Sequence, residues 1–186
     1  MEQTTEERLA INIAVNEAFI LRTFPNEEFF STTDELRKAN KFTEKLELPE
    51  NVRLAKSRIP ITKGEQEKLI KELRQACILA KLGYSIYLTP EPGRFKERSF
   101  DAVVNGIQYE FRNITGKNEK VERRFSQAKD KGDDVNVFMN IDTDISSAET
   151  RRRITLVLER HPEYTGKIII SWRGGIPSFY DTEDFW

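Results

Sequence analysis

Three residues near the middle of the chain have the types and spacing to bind a divalent cation. Asp101, Glu110 and Arg112 flank Asn105-Gly106, a dipeptide that strongly predicts a two-residue hairpin turn. In such a hairpin Asp101 lies opposite Glu110, with Cβ atoms about 5 Å apart. Arg112 lies two residues after Glu110, so both side chains are on one face of the strand. The spacing therefore predicts a patch of two carboxylates and one guanidinium.

Two carboxylates that face each other repel, and a proton or a cation relieves the repulsion. Mg²⁺ prefers carboxylate oxygens together with water and phosphate oxygens, so Mg²⁺ or Mn²⁺ is the predicted cofactor. Arg112 would then orient the attacking water and offset charge on a phosphate. The alternative is a surface hairpin whose acidic and basic side chains form cross-strand salt bridges.

The elements that position these residues follow from the hydrophobic period. Helical spacing predicts helices over 4–22, 33–46, 65–82, 119–130 and 146–160. Runs of β-branched and aromatic residues predict strands over 84–88, 100–104, 107–112, 135–141 and 167–172. The last strand is continuously apolar, which is typical of a central position. The order predicts an α/β fold with a mixed central sheet flanked by helices.

Pro60 and Gly64 interrupt the chain ahead of the third helix. We therefore predict an N-terminal helical extension over 1–62 and the main α/β domain over 63–186. Glu72 lies in that third helix, just before the first strand of the predicted domain, and can reach the same end of the sheet as the hairpin. The alternative for Glu72 is an exposed position with ordinary contacts one turn away.

Composition excludes several classes of protein. The single cysteine, Cys77, excludes a disulfide framework and a Cys-rich zinc site. The single histidine, His161, excludes two-histidine mechanisms and gives no support to a metal-independent ribonuclease of the barnase type. No run of about 18 apolar residues predicts a membrane span, and the acidic N-terminus is unlike a signal peptide. A cytoplasmic protein is expected.

The charge pattern points to a polyanion. The net charge is −1, but residues 1–50 carry −5 and residues 51–100 carry +6. A basic segment next to a carboxylate-bearing one suits a substrate whose phosphates attract cations while the carboxylates hold a metal. Scatter over a charge-rich surface is the alternative explanation.

Two segments resemble a known family. Glu72-Leu-Arg-Gln-Ala-Cys-Ile-Leu-Ala-Lys-Leu-Gly83 is similar to the opening helix of PD-(D/E)xK nucleases, and Phe100 to Arg112 resembles their metal-binding hairpin. The resemblance covers about residues 65–141 and is nearest to the C-terminal tRNase toxin domains of CdiA-type contact-dependent growth inhibition proteins. Two positions depart from the motif: Phe100 replaces a proline and Arg112 replaces a lysine.

The resemblance implies a role for each matching residue. Asp101 and Glu110 would be metal ligands, Glu72 would complete the catalytic site, and Arg112 would occupy the position of the catalytic lysine. Gln127 on the next helix would support the site or the substrate. The resemblance also implies hydrolysis of phosphodiester bonds in tRNA or DNA and an immunity protein as partner.

Basic residues that follow the hairpin are expected to contact the nucleic-acid backbone, because the hairpin fixes their location beside the site. With Gln127 they form the predicted nucleic-acid-binding set, which comprises Lys117, Lys120, Arg123, Arg124 and Gln127. Two functions remain open from the sequence. One is a metal-dependent nuclease, and the other is a catalytically inactive nuclease-like module that binds nucleic acid or a protein.

Overall fold

The computed structural model describes residues 3–91 and 100–186 of the chain, which divides into two units, Met1–Gln108 and Tyr109–Trp186. Each unit combines helices with both parallel and antiparallel strand pairs. The predicted α/β class with mixed strand pairing is therefore confirmed.

Four short strands form the sheet of the first unit. They are β1 (Phe29–Phe30), β2 (Val52–Ala55), β3 (Ile86–Leu88) and β4 (Ala102–Val104). β1 pairs antiparallel with β2, β2 pairs parallel with β3, and β3 pairs antiparallel with β4. The predicted extension over 1–62 thus contributes two strands to this sheet, where the sequence periodicity predicts helices alone.

Three helices accompany these strands: α1 (Thr5–Thr23), α2 (Thr33–Arg37) and α3 (Lys63–Ala80). α1 and α3 each begin with a capping box, in which the side chains of Thr4 and Thr62 accept hydrogen bonds from the third residue of the helix. α2 ends at Arg37, so the predicted helix over 33–46 is too long. Its continuation is replaced by a local turn in which the side chain of Asn40 accepts a hydrogen bond from the Phe42 amide.

A buried asparagine fixes α1 to the strands. Asn16 is fully buried, and its side-chain amide donates to the carbonyl oxygens of Ser85 at 2.8 Å and Val103 at 3.2 Å. Its side-chain oxygen accepts a hydrogen bond from the Gly106 amide at 2.8 Å. Gly106 has a φ of 81°, and a Cβ there would lie 2.8 Å from Val15. The glycine therefore allows both the turn and the close approach of α1.

The second unit contains most of one long strand and three others. The long strand is β5 (Ile107–Ile114), and it is followed by β6 (Asn136–Ile141), β7 (Ile168–Trp172) and β8 (Ser178–Tyr180). β5, β6 and β7 pair in parallel, and β8 pairs antiparallel with β7. β7 has a partner on each side and four of its five residues are buried, so its predicted interior position is confirmed.

Two helices connect these parallel strands. α4 (Asn118–Lys129) joins β5 to β6, and α5 (Ser147–Arg160) joins β6 to β7, both close to their predicted bounds. Right-handed crossovers in one direction place both helices on the same side of the sheet, and α4 packs against α5. The apolar side chains of α4, Val121, Phe125 and Ala128, are buried, and the Phe125 ring meets Tyr164 edge to face at 5.5 Å.

We predict that Asn16→Ala lowers the free energy of unfolding by about 2 kcal/mol or more, because it leaves buried peptide groups without hydrogen-bond partners. Chemical denaturation monitored by circular dichroism measures the change. Asn12→Ala is the control, because Asn12 makes a single part-buried hydrogen bond, to the Gly83 carbonyl. Equal losses in the two variants would contradict the special role of Asn16.

Candidate functional site

The turn between the predicted metal ligands has the expected backbone. Asn105 and Gly106 have φ values of 49° and 81°, the left-handed conformation of a two-residue hairpin turn. Asp101 immediately precedes β4 in the first unit, and Glu110 lies on β5 in the second unit. The pairing of Asp101 with Glu110 across the turn stays a prediction.

In the first unit, Glu72 is a buried carboxylate with a cationic partner. It lies on α3, and its side chain is 8% exposed. Arg58, on a 3₁₀ turn that follows β2, forms an ion pair with Glu72 through its guanidinium, which is 4% exposed. The same guanidinium donates to the Asp101 carbonyl oxygen at 3.4 Å. Glu72 is therefore not the exposed surface residue that the alternative interpretation expects.

The environment of Glu72 favours its neutral form. Burial raises the pKa of Glu72 to about 7, the attraction of Arg58 opposes the rise, and the negative charge of Asp101 adds to it. Burial therefore outweighs the ion pair. The influence of Asp101 means that two carboxylates assigned to one site by the sequence motif lie close enough to repel each other. A cation between them would relieve this repulsion.

In the second unit, Glu110 is enclosed by two cations. Its side chain is 0% exposed, and its two oxygens face Arg112 Nη1 at 2.9 Å and Lys131 Nζ at 2.7 Å. Glu110 and Arg112 share a face of β5, as their spacing predicts. The Arg112 guanidinium also donates to the Phe111 carbonyl oxygen at 2.8 Å, which fixes it to its own strand.

Arg58 and Lys131 are site residues that sequence reasoning missed. Both lie in connections next to strands, and neither belongs to a recognisable motif. Lys131 follows α4, in the connection that returns the chain to the start of β6. Glu110 pairs with Val137 near that start, so the crossover itself brings the lysine to the carboxylate. Only the topology, not residue spacing, could have indicated this contact.

Glu72 and Asp101 are the carboxylates that the first unit offers to a divalent cation. Within residues 3–91 and 100–186, no group of three or more His, Cys, Asp or Glu side chains is arranged to hold a metal ion. Mg²⁺ commonly uses one or two carboxylates and completes its octahedron with water and phosphate oxygens. The repulsion between Glu72 and Asp101 gives such a cation a favourable place. Mg²⁺ or Mn²⁺ stays the predicted cofactor.

Three of the residues predicted to contact nucleic acid line one cavity next to Gly116. A cavity of about 510 Å³ is lined by Gly116, Lys117, Lys120 and Arg123, at the junction of β5 and α4. A Cβ on Gly116 would lie 2.3 Å from the Lys120 side chain, so the lysine side chain folds over this glycine. Arg124 is half-buried and Gln127 is exposed, and neither lines this cavity.

A second run of basic residues, Arg151, Arg152 and Arg153 on α5, makes contacts within the protein. Arg152 and Arg153 both form ion pairs with Glu149 one turn away on α5, at 2.8 Å. The guanidinium of Arg151 lies over the rings of Tyr180 and Phe185, at 5.0 and 5.2 Å from their centroids. These contacts distinguish the arginine run of α5 from the basic residues around Gly116.

Comparison with known proteins found no matching family model, no matching curated protein and no matching solved structure. Among the helices of the described residues, none combines the length and the apolar character needed to cross a membrane. The description of the candidate site therefore depends on the structure of this chain alone.

We predict that the stability of the metal-free protein falls as pH rises through about 7, because the pKa of Glu72 is higher in the folded chain than in the unfolded one. The loss attributable to this group is at most about 3 kcal/mol between pH 5 and pH 8. Denaturant titrations in EDTA at both pH values measure it. Glu72→Gln keeps the shape and removes the charge, so its stability should change less with pH. Parallel pH dependences would contradict the raised pKa.

Proposed function

We propose that the chain is a metal-dependent nuclease with the PD-(D/E)xK fold. The observation that carries the proposal is that one guanidinium, that of Arg58, contacts both the Glu72 carboxylate and the Asp101 carbonyl oxygen. The sequence motif assigns Glu72 and Asp101 to one catalytic site, and the charge of Asp101 helps to raise the pKa of Glu72. The order of elements α3-β3-β4-β5-α4-β6 adds support, with antiparallel β3 and β4 and parallel β5 and β6. This is the order that the resemblance implies.

In the proposed site, Asp101 and Glu110 hold a divalent cation, an arrangement taken from the hairpin motif. The cation, when bound, activates a water and offsets charge on the phosphate. Hydrolysis would add the hydroxyl of a water to phosphorus, break the bond to the leaving oxygen and transfer the remaining proton of that water to the leaving oxygen. Arg112 holds the Glu110 carboxylate at 2.9 Å and so limits its rotation. Glu72, with a pKa of about 7, can hold or release a proton near Asp101.

The proposed substrate is a nucleic acid bound through its backbone. Lys117, Lys120 and Arg123 line one open cavity, where their charges can contact successive phosphates without reading sequence. The resemblance to tRNase toxin domains makes tRNA the first substrate to test and DNA the second. A tRNA substrate would place the activity in the cytoplasm, with an immunity protein as the partner that blocks it.

A specific observation favours a second candidate, a nuclease-like module that binds nucleic acid without cleaving it. Glu72 and Glu110 each already form an ion pair with an arginine, and both carboxylates are buried. A carboxylate neutralised in this way needs no metal to be stable. The two candidates differ in whether a divalent cation displaces or joins these arginines.

We expect Mg²⁺ or Mn²⁺ to bind the wild-type protein in isothermal titration calorimetry, and Asp101→Asn and Glu110→Gln each to weaken binding at least tenfold and abolish cleavage of total tRNA. Glu47→Gln is the matched control, because this carboxylate is 83% exposed and lies on the surface. Its cation affinity and cleavage should equal those of the wild type.

Absence of cation binding and of cleavage in the folded wild-type protein would eliminate the nuclease. Retained binding of tRNA in that case would establish the second candidate. Loss of cation binding in only one of the two variants would mean that Asp101 and Glu110 do not share a metal.

We expect Arg123→Glu to weaken binding of unrelated RNA and DNA oligonucleotides to a similar extent, because phosphate contacts carry no sequence information. The slope of log affinity against log salt should flatten by about 1. Fluorescence anisotropy measures both quantities. Arg152→Glu, on the ion-paired face of α5, is the control and should leave the slope unchanged. Equal effects of the two reversals would move the contact away from the Gly116 cavity.

A further inference from the structure

A second cavity adjoins the Gly116 cavity in the second unit. It has a volume of about 580 Å³, and we call it the Thr143 cavity after a residue that lines it. Gly116 and Lys117 line both cavities, so the two are neighbours. Both volumes lie within the range of about 300–1,000 Å³ that is typical of small-molecule sites.

The fold places the Thr143 cavity at the carboxyl ends of two parallel strands. Thr115 directly follows β5, and Thr143 is the second residue after β6. The Asp142 amide donates to the Ile114 carbonyl oxygen at 2.8 Å, which joins the two strand ends. In open α/β sheets, ligands bind in the crevice outside the carboxyl ends of parallel strands.

Neutral hydrogen-bonding groups distinguish this cavity from the Gly116 cavity. Thr115, Thr143 and Asn118 contribute two hydroxyls and one amide to its lining. The amide nitrogen of Asn118 donates to Glu149 Oε1 at 3.2 Å, which fixes the orientation of the amide. Hydroxyls both donate and accept, and an amide oxygen accepts. These groups match the donors and acceptors on the edges of nucleobases.

Arg153, which also lines the Thr143 cavity, is held in one orientation by two carboxylates. Its guanidinium pairs with Glu149 at 2.8 Å and with Glu122 at 3.5 Å, and its side chain is 21% exposed. The two carboxylates offset its charge and so weaken its attraction for a phosphate. The planar face of a guanidinium is a surface on which an unstacked base packs. Arg153 is therefore better suited to a base than to the backbone.

We propose that the Thr143 cavity binds an unpaired base of the nucleic acid whose backbone lies in the Gly116 cavity. This inference rests on the proposed function, of which it uses the nucleic-acid binding alone. A phosphate and its base are joined through one sugar, so two neighbouring cavities of different chemistry suit the two parts of a nucleotide. A base inside a duplex is stacked and paired, so the ligand is a single-stranded segment or a loop.

The test measures the binding of labelled strands by fluorescence anisotropy in EDTA, which prevents metal-dependent cleavage of the probe. One probe is a short single-stranded RNA of mixed sequence. The other is an abasic strand with the same sugar–phosphate backbone, length and charge. The wild type should bind the RNA about fivefold more tightly or better, because stacking and hydrogen bonds to a base add to the same phosphate contacts.

Two variants remove one feature of the cavity each. Arg153→Lys keeps the charge and removes the plane, and Thr143→Val keeps the shape and removes the hydroxyl. Each should weaken RNA binding about threefold or more and leave the affinity for the abasic strand unchanged.

Arg152→Lys and Thr155→Val are the matched controls, because both residues are on α5 and neither lines the cavity. Arg152 pairs with the same Glu149 at 2.8 Å, so its substitution disturbs the same carboxylate. Both controls should bind the two probes as the wild type does.

Three results would overturn the inference. Equal affinity of the wild type for the RNA and the abasic strand would eliminate the base site and leave binding through phosphates intact. A preference for RNA that both cavity variants retain would place the base elsewhere. No binding of either probe would eliminate the inference together with the proposed nucleic-acid function. Thr143→Val answers the question if Arg153→Lys alters the fold.

Discussion

A carboxylate removed from water needs a proton or a cation beside it, and this requirement organises both units. Glu72 and Glu110 are the two buried glutamates among the described residues. Glu72 has one close cation, Arg58, and a carboxylate nearby, so burial prevails and its pKa rises to about 7. Glu110 has two cations. The buried charge of Glu72 is thus largely avoided by protonation, whereas the buried charge of Glu110 is neutralised by charge pairing.

These pairs depend on parallel strands, because parallel pairing requires a crossover that returns the chain to the same end of the sheet. β2, α3 and β3 form one such crossover, and β5, α4 and β6 form another. Arg58 comes directly after β2, and Lys131 comes shortly before β6. Arg58 and Lys131 thus lie in the connecting segments of the two crossovers. Their partners lie in regular secondary structure, Glu72 on α3 and Glu110 on β5. The tertiary fold, rather than local sequence, joins them.

This division explains what the sequence could predict. The long elements α3, α4, α5, β6 and β7 have enough residues for their period to be recognised, and they were found within a few residues of their bounds. β1, β2 and β8 contain two to four residues, too few for any period. The motif identified Glu72 and Glu110, but Arg58 and Lys131 could not be found, because no spacing relates a connection to a strand brought near by a crossover.

The charged groups around Glu72 do not balance when Glu72 is ionised. The described groups that influence Glu72 include Asp101, Arg58 and Lys68, and Lys68 itself pairs with Glu91 at 2.5 Å. With Glu72 ionised, these five groups carry one negative charge in excess. A cation therefore stabilises this cluster, and a bare polyanion does not. Dependence of nucleic-acid binding on a divalent cation is for this reason the property that separates a nuclease from a module that binds without cleaving.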